Sequence, residues 1–103
     1  MEGTVLDRAE LVVRSLPITK PQYRRTESRL GEILFAYGKD GDGVYHGVWG
    51  VDQPIPTMRV LEFKRGVTAE QVRKDLITNA EWWLEECDKR GLLRAGAKFG
   101  KKY

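Results

Sequence analysis

At 103 residues the chain is long enough for one domain with a modest core that needs no disulfide or metal to fold. Its 41% hydrophobic and 32% charged residues exclude a disordered segment, and no apolar run approaches the roughly 18 residues of a membrane-spanning helix. The net charge of +3 is too small to name a partner by itself, so the placement of charge carries the argument.

The opening MEGTVLDRAE is acidic and broken by charge, unlike a secretory signal. A single cysteine, Cys87, rules out an intramolecular disulfide and a cysteine-based zinc cluster. A soluble protein of a reducing, cytoplasmic compartment is predicted, with no membrane association.

In chain order, Thr4 to Leu16 is predicted to be a helix, because Val5, Leu6, Ala9, Val12, Val13 and Leu16 recur at three-to-four spacing behind Thr4 and Asp7 as N-cap and N3 partner. Pro17 ends it. Residues 17 to 29, PITKPQYRRTESR, hold two prolines and no periodicity and are predicted as an extended loop, with room for a strand near Tyr23. EILFAYG and VYHGVWG flank KDGDG, whose Asp-Gly pairs suit a tight turn, so residues 32 to 38 and 44 to 50 should pair as a hairpin. After the prolines of DQPIPT, residues 57 to 63 alternate Met58/Val60 and Leu61/Phe63 onto opposite faces and form a third strand.

Thr68 and Gln71 carry a capping-box signature, and the helix they open should run from about Ala69 to Arg90, with Gly91 at the left-handed position beyond its end. Ala69, Val72, Leu76, Ala80, Trp83 and Cys87 fall on one stripe, with Ile77 and Leu84 along its margin. Trp83 is thus assigned to the core. Its neighbour Trp82 falls among Thr78, Glu85, Glu86 and Lys89 and needs another partner: the N-terminal helix or the tail aromatics Phe99 and Tyr103 folding over it, or else a protein interface. The predicted fold class is α+β: an N-terminal helix, a three-stranded antiparallel meander and a long C-terminal helix on one sheet face, in the order αβββα, leaving the other face solvated or engaged. One domain, 1–91, is followed by a basic tail, 92–103.

Catalytic material is scarce. His46 is the lone histidine, in a predicted strand without an adjacent nucleophile, and a packing role suits it better than a triad. Cys87 lies on the apolar stripe, where a thiol is a small hydrophobe. GKDGDG resembles the start of a calcium loop, but Gly38 and Trp49 would occupy the positions where the first and last carboxylates belong. No metal, no cofactor and no enzymatic activity are predicted. A phosphate-binding glycine loop also fails, since no Gly-Lys-Ser/Thr follows the glycines.

Binding is what remains. Basic side chains cluster twice: Lys20, Arg24, Arg25 and Arg29, opposed nearby only by Glu27, and Arg94, Lys98, Lys101 and Lys102 in the tail RAGAKFGKKY. Both interleave with aromatics, as phosphate neutralisation plus base stacking requires. The element order resembles that of the double-stranded RNA-binding domain, but the lysine-rich start of that family's last helix is reduced here to Lys64 and Arg65 before GVTAEQ. The leading expectation is a non-enzymatic protein that binds nucleic acid or a nucleic-acid-processing complex through the two clusters. The alternative is an adaptor or inhibitor of the compact phage or mobile-element kind. It would dock on a protein through Trp49 and Trp82 or a sheet edge, which could also pair two copies of the chain.

Overall fold

The computed structural model describes residues 5–52 and 56–91, with side chains from residue 8 onward. Helix α1 (Val5–Ser15) is followed by strands β1 (Thr19–Ser28), β2 (Gly31–Lys39), β3 (Tyr45–Val51) and β4 (Thr57–Glu62), and by helix α2 (Ala69–Lys89). The strands form one antiparallel sheet in the order β1-β2-β3-β4. The α+β class holds, with four strands in place of three. The proposed N-cap Thr4 and the tail from residue 92 lie outside the described residues.

The added strand is β1, where a proline-bearing loop was expected. It pairs with β2 from Ser28 opposite Gly31 back to Thr19 opposite Lys39, with a bulge between Thr19 and Gln22. Proline survives there because β1 is an edge strand, on which a missing N–H need not interrupt a ladder. Lys20, at the bulge, holds φ at 50°, left-handed backbone that a residue other than glycine adopts at a cost.

Both faces of the sheet are covered, which corrects the two-layer expectation. Alternate residues of β2 and β3 divide between them. Ile33, Phe35 and Tyr37 with Trp49 and Val51 meet Val72, Leu76, Ala80 and Leu84 of α2, whereas Ala36 and Val48 meet Val13 of α1, with Val12, Ile18 and Met58 at the margin. Residues 33 to 38 are all buried, the continuous apolar run of a strand enclosed on both sides. Trp49 is therefore core, 3% exposed, and is withdrawn from any interface. Its register neighbours Gly47 and Val51 face α2 with it, and the β3 alternation leaves the ring no route to solvent.

Helix α2 begins where expected: the Thr68 hydroxyl accepts a hydrogen bond from the Gln71 N–H at 3.1 Å, and Gly91 takes φ 77° just past the Arg90 cap. Its buried stripe is Val72, Leu76, Ala80, Leu84 and Cys87. Leu84 thus takes the central place expected for Trp83, which is half-buried at the margin with the Arg59 guanidinium 5.8 Å from its ring centre. Leu76 packs directly onto the backbone of Gly47, which has no side chain to hold it off: a Cβ there would lie 2.9 Å from Leu76 Cδ1.

At the β2–β3 turn, the Asp40 carboxylate accepts from the N–H groups of Asp42 (2.8 Å) and Val44 (2.9 Å), and from His46 Nε2 at 2.9 Å. An ionised carboxylate only accepts, so the shared proton lies on the imidazole. The His46 bond first, then the Val44 N–H, hold Asp40 at about 2, below its usual 3.8, against a smaller opposing effect of burial. The residues compared above with a calcium loop thus form a hydrogen-bonded turn. Among the described residues no group of three or more His, Cys, Asp or Glu side chains is placed to hold a metal ion, and no helix is long and apolar enough to cross a membrane.

Two predictions follow from this packing. Leu76→Ala should destabilise the fold by roughly 2–5 kcal/mol and Gly47→Val by roughly 1–3 kcal/mol, the ordinary costs of a core cavity and of overpacking. Urea melts check both, and an unchanged midpoint in either would contradict this helix–sheet contact. Since Asp40 titrates lower when folded, its contribution is complete above its unfolded pKa near 3.8 and is lost as pH falls towards 2. Asp40→Asn should therefore flatten the acid limb of the stability curve between those values, which urea melts at a series of pH values check.

Candidate anion-binding cleft

The first basic cluster does not act as a unit, because β1 alternates. Gln22, Arg24 and Thr26 stand opposite Tyr37, Phe35 and Ile33 on the face that α2 covers, whereas Arg25 stands opposite Leu34 on the α1 face. Arg25 is paired with Glu32 at 3.0 Å. Arg29, in the turn after β1, lies 3.6 Å from Glu85 of α2. Both pairs are largely exposed and contribute little to stability, but each gives its arginine a carboxylate partner. The other four residues of the predicted site, Arg94, Lys98, Lys101 and Lys102, lie outside the described residues.

Lys20 and Arg24 are joined instead by two cations that the sequence reading missed. Lys39, at the end of β2, and Arg73, in the second turn of α2, line with them a cleft of about 450 Å³. Its other walls are Thr19, Gln22, Tyr37, Gly38, Tyr45 and Ala69. Among the described residues no carboxylate lines it and none of the four cations is in a salt bridge.

Each cation is oriented by the sheet or its rings. Arg73 donates from Nη1 to the Tyr37 hydroxyl at 2.8 Å, with its guanidinium 5.8 Å from the Tyr37 ring centre. That hydrogen bond, more than the nearby Glu70, raises the Arg73 pKa above its usual value, so the group stays charged. Lys39 Nζ lies 5.3 Å from the centre of the Tyr45 ring. Arg24 donates to the Gln22 side-chain oxygen at 3.0 Å and to the Tyr23 carbonyl at 2.9 Å. The bulge at Lys20 places its exposed side chain on the rim, and Ala69 brings the positive end of the α2 dipole to the wall.

This arrangement can attract an anion and offers donors for charge-assisted hydrogen bonds to oxygen-rich groups. It contains no nucleophile beside a base. His46 is engaged by Asp40, and Cys87 is 1% exposed, with burial pushing its thiol above the usual value and so keeping it protonated at neutral pH.

Trp82 is 63% exposed on α2, off the buried stripe, and Phe99 and Tyr103, which could cover it, lie outside the described residues. Beside it Trp83, Glu86, Cys87 and Arg90 line a shallow cavity of about 60 Å³. The cleft residues come from three separate stretches, 19–24, 37–45 and 69–73. The only sequence signal for the missed pair was that Arg73 falls off the apolar stripe and Lys39 precedes the turn.

Comparison of the chain with protein-family models, with curated proteins and with solved structures finds no match.

Proposed function

We propose that this is a non-enzymatic protein that binds nucleic acid through its phosphates. The observation that carries the reading is the cleft of Lys20, Arg24, Lys39 and Arg73, four cations without carboxylate partners beside two tyrosines. Free energy favours an anionic ligand there, since the like charges repel one another until one is bound. Tyr45, half-buried on the wall, adds an aromatic surface of the kind that nucleotides contact. Non-catalytic action goes with the engagement of His46 and the burial of Cys87, and a reducing cytoplasmic setting goes with that one buried thiol.

A second reading, docking on a protein partner, is favoured by one observation, the exposure of the Trp82 ring. Aromatic rings of this kind are enriched where interfaces concentrate their binding energy. The edge of β4 offers the backbone surface for pairing that this reading also uses.

Charge placement separates the readings. Replacing Arg24 and Lys39 together with glutamine should weaken binding to single-stranded nucleic acid and flatten the plot of log affinity against log salt by about 1.4, near 0.7 for each lost phosphate contact. Replacing the paired Arg25 and Arg29 should move that slope far less. Fluorescence anisotropy at several salt concentrations measures both. Equal slopes for the two variants, or no binding by the native chain even at low salt, would defeat the nucleic-acid reading and leave the protein-docking one.

A further inference from the structure

We propose that the cleft recognises a terminal phosphomonoester, the phosphorylated end of a strand or of a nucleotide, rather than the internal diesters of a continuous backbone. This rests on the reading that the cleft takes phosphate, and adds which phosphate.

The first argument is charge. Four cations face one cleft that no carboxylate lines among the described residues. An internal diester offers each contact a single negative charge, whereas a monoester carries about −1.5 to −2 at neutral pH together with three acceptor oxygens. Arg73, already oriented by the Tyr37 hydroxyl, and Lys39, placed over Tyr45, present their remaining donors without first losing a carboxylate partner. Clustered donors of this kind match several oxygens on one phosphorus better than single oxygens strung along a chain.

The second argument is extent. A groove that tracks a backbone continues its positive charge along its length. Along the described residues of β1 the charge stops. On the cleft face of β1, Lys20 and Arg24 are followed by Thr26 and Ser28, both uncharged, and the next arginine, Arg29, is drawn to Glu85. Arg25, on the opposite face, is drawn to Glu32. Among the described residues of β1 the unpaired cations on this face thus lie at one end of the strand, where the bulge and the start of α2 close in on the tyrosines. A cleft of about 450 Å³ falls within the usual range for a small-molecule site, in keeping with an end group and its nucleoside.

The test compares three forms of one short single-stranded oligonucleotide, 5′-phosphorylated, 3′-phosphorylated and with both ends hydroxyl, by anisotropy at fixed salt, with adenosine monophosphate and inorganic phosphate as competitors. Expected is a preference of about tenfold for a phosphorylated end, lost in Lys39→Gln and in Arg24→Gln. Competition by adenosine monophosphate would support the same site with the free nucleotide as source. Lys20→Gly provides a variant that keeps the fold, since glycine accepts the left-handed backbone there: its melting temperature should not fall, while the preference for the phosphorylated end shrinks. Equal affinity for all three oligonucleotides would overturn the end-group inference and leave nucleic-acid binding standing. Binding of adenosine monophosphate but of no oligonucleotide would do the reverse, and binding of none of the probes would overturn both.

Discussion

The fold turns on the seat of Leu76 over Gly47. A residue with no side chain in the central strand β3 lets α2 descend until a leucine fills the space where a Cβ would be, and that depth sets the position of the rest of the helix. Arg73 precedes Leu76 by three residues, so the same descent carries its guanidinium to the Tyr37 hydroxyl and brings Ala69, the first residue of α2, to the cleft wall. The cleft is a consequence of core packing: its charged lip is held at its height by an apolar contact one turn further along the helix.

A second constraint is the alternation of an edge strand. Because successive side chains of β1 point to opposite faces, the adjacent pair Arg24 and Arg25 enters two environments. One arginine meets a glutamate and the other meets none. A paired cation must give up its partner before it can hold a ligand, and the carboxylate beside it repels an incoming anion. An unpaired one gives up only water. Local charge density in the sequence is therefore a poor guide to the site, and the partition of partners in space a better one.

Much of the fold was legible in the sequence where local signals agreed. The Thr68 cap, the Gly91 terminus and the three-to-four apolar spacing marked α2, and the Asp-Gly pairs marked the β2–β3 turn. β1 was illegible because an edge strand with exposed side chains on both faces has no hydrophobic period to read, and Pro17 and Pro21 spoke against it. The enclosure of both sheet faces was present in the unbroken run from Ile33 to Tyr37, but a short apolar run does not say what covers it. Trp49 was misplaced for the same reason, since either face of β3 would bury it. Within the site, Lys20 and Arg24 stood out by charge. Lys39 and Arg73 did not, because residues far apart in the chain meet there only once the helix has settled on the sheet.

The exposed edge of β1 carries a further consequence. An open strand of ten residues is a template on which other chains can stack, and natural sheets discourage this with lysine and arginine, a proline, or a bulge along the edge. β1 has all of these in Lys20, Pro21, Arg24, Arg25 and the irregularity between Thr19 and Gln22. The residues that make the cleft basic are thus among those that discourage another strand from pairing at this edge. Loss of that charge would therefore remove two things at once, the attraction of the cleft for anions and the electrostatic guard along the open edge.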